Sequence, residues 1–90
     1  MEVHAHIAVQ GMVQGVGFRY FAFTHAQILG LKGYVRNLDN GDVEIEVEGD
    51  RSLIEEFIVL VKAGPRSAEV RDIKVRWSAV SHQFSIFEIR

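Results

Sequence analysis

The sequence predicts an α+β sandwich, with β-α-β-β-α-β order and an extra short C-terminal strand. Three observations lead there. Period-2 and period-3.6 apolar patterns succeed one another in that order along the chain. A length of 90 residues allows one domain spanning 1–90 and no second core. With 48% apolar residues and no low-complexity run, the composition is that of a folded chain.

Val3, Ala5, Ile7 and Val9 alternate with His4, His6, Ala8 and Gln10, which makes a first strand with one apolar face. A glycine-rich stretch follows, and from Phe18 the period changes. Phe18, Phe21, Ala22, Ile28 and Leu29 share one face of a helix that Gly30 ends, with Leu31 folding back onto its last turn. Lys32 to Leu38 reads as a second strand, and Asp39-Asn40-Gly41 as a hairpin turn. In the third strand Val43, Ile45 and Val47 point one way, while Glu44, Glu46 and Glu48 form a solvated face.

Asp50 is placed to cap a second helix, whose buried stripe is Leu53, Phe57, Leu60 and Val61. Gly64-Pro65 stops it. Val70 to Trp77 is a fourth strand with Ile73, Val75 and Trp77 inward and Lys74 and Arg76 outward. Ser78 to Gln83 reads as a loop and Phe84 to Ile89 as the short fifth strand, whose place in the sheet the pattern does not assign. Two βαβ units with right-handed crossovers give a ferredoxin-like sandwich: a mainly antiparallel sheet with both helices on one face.

The stretch Gly11-Met12-Val13-Gln14-Gly15-Val16-Gly17-Phe18-Arg19-Tyr20 joins the first strand to the first helix. Its glycines permit positive φ, so successive N–H groups can converge, and the helix start adds unpaired donors and a positive dipole end. Backbone N–H groups from Gln14 through Gly15, Val16, Gly17 and Phe18 to Arg19, with the Arg19 guanidinium, would cradle a dianionic phosphate. A Walker loop is excluded, because no Lys-Ser/Thr pair follows the last glycine. A dinucleotide fingerprint would need a glycine where Tyr20 stands. Glycines serving packing alone are the rival, but Arg19 at a helix start opposes the dipole unless an anion is present. Asn37, near the end of the second strand, reads either as a turn residue ahead of Asp39 or as a neighbour of Arg19.

The segment G-x-V-Q-G-V-G-F-R, followed by G-Y-V-R-N-L-D-N-G-D-V-E at Gly33–Glu44, resembles acylphosphatase, and the similarity runs over essentially the whole chain. The resemblance implies a hydrolase of small acyl phosphates in which Arg19 binds the phosphate and Asn37 orients the attacking water. It also implies a monomer. No cofactor is expected. Inorganic phosphate and sulfate should compete with substrate. Such chemistry needs no general acid, because a carboxylate already leaves as a stable anion, and phosphoryl transfer asks mainly for positioning and charge stabilisation. Nothing in the residues selects the acyl half, so a permissive pocket is expected.

The remaining polar residues carry weaker signals. His4 and His6 share a strand face, but no third ligand lies at short spacing, so no metal site is expected. His25 in the first helix and His82 in a loop have no identifiable partners. RNA-recognition domains share this element order but need exposed aromatics and basic residues where this chain has Glu44, Glu46, Glu48, His4 and His6. Carboxylates under a polyanion repel it, and a net charge of −2 gives no attraction to nucleic acid or anionic membrane. A catalytically silent anion sensor is the other rival, since similar segments occur inside larger carbamoyl-handling proteins. The chain reads as complete at both ends, which favours a free-standing enzyme. Its start lacks the basic and apolar regions of a signal peptide, no apolar run could span a bilayer, and a cytoplasmic protein is expected.

Overall fold

In the computed structural model, which describes residues 1–90, the elements are β1 (Glu2–Met12), α1 (Phe18–Ile28), β2 (Lys32–Asn37), β3 (Val43–Asp50), α2 (Arg51–Ala63), β4 (Glu69–Ala79) and β5 (Phe87–Ile89). One sheet holds all five strands in the order β4-β1-β3-β2-β5. Pairing is antiparallel throughout except between β2 and β5, which run parallel. The expected α+β sandwich is therefore observed, and the fifth strand now has a place at the edge opposite β4.

β5 is shorter than the pattern predicts, starting at Phe87 rather than Phe84. Phe84 instead packs on the open side of the sheet, stacked near His4 with ring centroids 6.3 Å apart and edge-on to Tyr34 at 6.0 Å. The Gly33 N–H donates to Ile86 O and the Arg90 N–H to Val35 O, each at 2.9 Å or less, so these two bonds bracket the short parallel ladder.

The core lies between the sheet and the helices. Ala5, Ile7 and Val9 of β1 meet Val43, Ile45 and Val47 of β3, as the alternation requires. Each such aliphatic side chain contributes about 1.5–3 kcal/mol when fully buried. On α1 the buried line is Phe18, Ala22 and Ala26; of the expected face Phe18 and Ala22 are buried and Leu29 packs against the core, but Ile28 is 74% exposed. Ile28 lies roughly 120° round the helix from the centre of that line. On α2 the deepest residues are Ile54, Phe57 and Val61, while Leu53 and Leu60 only flank them. Asp50 caps α2 as expected, accepting from the Ser52 N–H at 3.0 Å. Trp77 of β4 is half-covered by the Arg51 guanidinium, 4.2 Å from its ring centroid.

The glutamate row departs from its expected solvated character at one position. Glu48 is 4% exposed. Register places His4 of β1 opposite Glu48 of β3, and the His4 ring bridges two carboxylates, with Nδ1 2.7 Å from Glu48 and Nε2 2.6 Å from Glu46. Glu48 also accepts from the Ser81 N–H and hydroxyl and from the His82 N–H. The β4–β5 connection thus folds over one end of the open face and covers it. Pattern reading misses this because the partners come from a loop distant in sequence. Glu44 stays closer to expectation, half-buried beneath Arg36, Tyr34 and His6. No helix is long and apolar enough to cross a membrane.

Candidate active site

The connection from β1 to α1 is shaped by Gly15 and Gly17, whose φ values of 74° and 78° are left-handed. An L side chain at either position would be strained, although nothing crowds the space around them. Gly17 is the N-cap of α1 and so brings no side-chain oxygen to the helix start, and the first turn holds no acidic residue. Phe21 N–H is the first to find an acceptor, Gly17 O at 3.0 Å. The six N–H groups from Gly15 to Tyr20 donate to no protein atom. A run of donors left open beside a helix dipole is an anion cradle.

Gln14 serves the loop differently from the other residues predicted to touch phosphate. Its side-chain amide donates to Leu38 O at 2.8 Å and Asp42 O at 2.9 Å, tying the loop to the β2–β3 hairpin. Val16 is anchored on the other side, where its carbonyl accepts from the Ser67 hydroxyl at 2.8 Å. Neither side chain lines the pocket. Phe18 fills the core beneath the loop, so the first turn of α1 has a fixed seat.

A pocket of about 200 Å³ opens over this loop, and Gly15, Gly17, Phe18, Arg19 and Asn37 all line it. The sequence left Asn37 as either a turn residue or a neighbour of Arg19, and the two residues line the same pocket. Arg19 donates from Nη1 to the backbone oxygen of Arg90 at 3.1 Å, which steadies the guanidinium from the β5 side. Asn37 is the more telling residue. Its side-chain oxygen is buried and has no hydrogen-bond partner. Leaving a buried acceptor unpaired costs about 1–3 kcal/mol, so this oxygen favours a donor that the fold itself does not supply.

No carboxylate lines the pocket, so its charge balance is set by Arg19 and the helix dipole. A larger cleft of about 440 Å³ lies on the open face of the sheet, near His4, Tyr34, Glu46, Ser81 and Phe84. There His4 and Tyr34 already meet carboxylates within the fold. The smaller pocket is the one with uncommitted donors and an orphaned acceptor. Three pocket residues were missed from sequence: Val13, Tyr20 and Ile89. Tyr20 adjoins Arg19 and was readable as a rim residue, whereas Ile89 lay on a strand that could not be placed. His25 meets the Phe21 ring edge-on at 4.5 Å, and no three His, Cys, Asp or Glu side chains gather as a metal site would require.

Known proteins resemble this chain over nearly its whole length. The acylphosphatase family model matches residues 5–89. An acylphosphatase of Dehalococcoides mccartyi is 46% identical over 83 residues, 91% of either chain. The crystal structure of acylphosphatase from Bacillus subtilis superposes with a TM-score of 0.95 at 40% identity, covering 98% of both chains. A segment making up 12% of full-length HypF matches the whole of this chain with a TM-score of 0.88 and 36% identity. Family model, curated relative and solved structure agree: this chain belongs to the acylphosphatase family of hydrolases.

Proposed function

We propose that the chain hydrolyses small acyl phosphates by metal-free attack of an Asn37-held water on phosphorus, with Arg19 and the loop N–H groups holding the phosphoryl group. The observation that carries this reading is the buried, unpartnered Asn37 oxygen in the same pocket as the open N–H groups of Gly15 to Tyr20. A water donating one O–H to that oxygen keeps a lone pair free for phosphorus. The Arg19 guanidinium and the cradle face the equatorial oxygens, where charge must be stabilised as the P–O bond breaks. Water adds to phosphorus, the bridging oxygen departs with its electron pair as a carboxylate, and the water protons pass to phosphate oxygen and solvent. Every group in this scheme comes from one chain, which accords with a monomer.

The open sheet face gives no support to a nucleic-acid function. Glu44, Glu46 and Glu48 occupy its centre, and their partners are His4, His6 and Arg36 of the same chain. Lys74 and Arg76 of β4, opposite Ala8 and His6, are the cations left on that face, and the three carboxylates beside them repel a phosphodiester backbone.

Two variants separate the two roles. Arg19→Gln removes a contact present before and during reaction, so KM rises and kcat falls. Asn37→Ala removes the water's acceptor, so kcat falls with less effect on KM. Losses of about 10²-fold or more in kcat/KM are expected for each with acetyl phosphate. Near-normal turnover in Asn37→Ala would remove that residue from the mechanism.

A further inference from the structure

The pocket has two chemically different halves, and the phosphoryl reading uses only one of them. The polar half is the loop and Arg19. Beside it stand Tyr20 and Ile89, large apolar side chains that are 68% and 42% exposed yet line the same pocket. Their positions are held from behind. The Tyr20 ring stacks on Phe23 with centroids 6.4 Å apart, and Phe23 packs on Phe87 of β5 at 6.5 Å. Ile89 lies on β5 itself, in register with Val35 of β2. Tyr20 and Ile89 are therefore two apolar surfaces that line the pocket with Arg19, one from α1 and one from the sheet edge.

From this geometry we propose that Tyr20 and Ile89 form an acyl-binding subsite that favours acyl phosphates carrying an uncharged, apolar alkyl or aryl group. The inference rests on the phosphoryl group occupying the loop. An acyl group attached to a phosphate held there must leave the cradle past Arg19, and the surfaces it meets are these two. Charge argues the same way. The pocket lining contains one cation, and the scheme commits it to the phosphoryl group. The guanidinium of Arg36, next in the chain to Asn37, is paired with Glu44 at 2.6 Å, and that of Arg90, next to Ile89, with Glu88 at 2.8 Å. A second anionic group on the acyl half would meet no second cation in the pocket lining, whereas a hydrocarbon would leave water against Tyr20 and Ile89. The pocket expected from sequence to be indifferent to the acyl half is thus selective in polarity.

The test compares kcat/KM for benzoyl phosphate and acetyl phosphate in the unchanged protein, in Tyr20→Ser, in Ile89→Ser and in the double variant. Acetyl phosphate has too little acyl surface to gain much from the subsite and serves as the reference. Comparing each variant with its parent cancels the intrinsic reactivity difference between the two substrates. The benzoyl-to-acetyl ratio should fall about tenfold in the double variant, as expected from exposing the apolar surface that one ring covers. An unchanged ratio overturns the subsite, while the effect of Arg19→Gln on acetyl phosphate still decides the phosphoryl reading separately. If neither substrate is hydrolysed by the unchanged protein, that underlying reading fails and the subsite fails with it. Should the variants not fold, acetyl, propanoyl and butanoyl phosphates with the unchanged protein decide the matter. Their leaving groups are nearly alike in acidity, so kcat/KM should rise about twofold or more per methylene, and a flat series overturns the proposal.

Discussion

The side-chain oxygen of Asn37 is buried without a donor, and Arg19 holds a cation in the first turn of α1, where the dipole opposes it. Both placements are locally unfavourable, and under the proposed function water and a tetrahedral anion in the pocket would relieve both. The consequence reaches stability as well as catalysis. A ligand that binds only the folded protein stabilises it by RT ln(1 + [L]/Kd), about 2.7 kcal/mol at a hundredfold excess over Kd. Inorganic phosphate and sulfate should therefore raise the melting temperature and compete with acetyl phosphate, even in exhaustively chelated buffer. Arg19→Gln should lose most of the melting shift. A shift that survives in that variant would place the anion elsewhere. At this scale Arg19 and the glycines were legible in the sequence because a loop motif states its own backbone demands. Tyr20 and Ile89 were not, since their role depends on which elements meet beside the loop.

Among the elements, β1 and β3 do more than supply the core. Their register sets His4 against Glu46 and Glu48, and the same Glu48 holds the β4–β5 connection through Ser81 and His82. Burial disfavours charge on Glu48, but hydrogen bonds from Ser81 and His4 outweigh it and hold the carboxyl down at about 2. Burial likewise works against the His4 cation, and the bonds to Glu48 and Glu46 overcome it, raising its pKa above 6.5. A lowered carboxyl stabilises the fold above its unfolded value, near 4.5, and loses that contribution as pH falls toward about 2. A raised imidazole contributes fully below its unfolded value, near 6.5, and loses the contribution as pH climbs through the folded value. The clasp should therefore stabilise most between about pH 4.5 and 6.5. Within that window His4→Gln should be less stable than the parent by about 1–3 kcal/mol, the cost of leaving a buried carboxylate short of a partner. Unfolding measured across pH should show the gap narrowing on both sides, and a gap independent of pH would contradict the account. This clasp was invisible in sequence. Alternation assigns Glu48 to the outer face, which is correct, but only the returning loop turns that face into an interior. The same loop diverts Phe84 to the open side, which is why the fifth strand begins three residues later than its pattern implies.

For the molecule as a whole, the order of periods along the chain was enough to give the sandwich, because short connections leave few ways to close two βαβ units around one core. The edge position of β5 needed the structure: with three residues it carries too little alternation to name its neighbour. That edge matters for chemistry, since it brings Ile89 into the pocket and the Arg90 backbone oxygen to the Arg19 guanidinium. The fold thus gathers one loop, the end of one strand and one short edge strand around a space of about 200 Å³. None of the groups lining it is an activated nucleophile that could attack a carbonyl carbon. All its open donors suit a phosphoryl group, and its orphaned acceptor suits a water. Hydrolysis of acetyl phosphate in oxygen-18 water reads out this arrangement directly, because attack at phosphorus and attack at carbon give the same products with the label in different places. The account predicts the heavy oxygen in inorganic phosphate. Heavy oxygen in the acetate would mean attack at the carbonyl carbon, and would contradict the role assigned to Asn37.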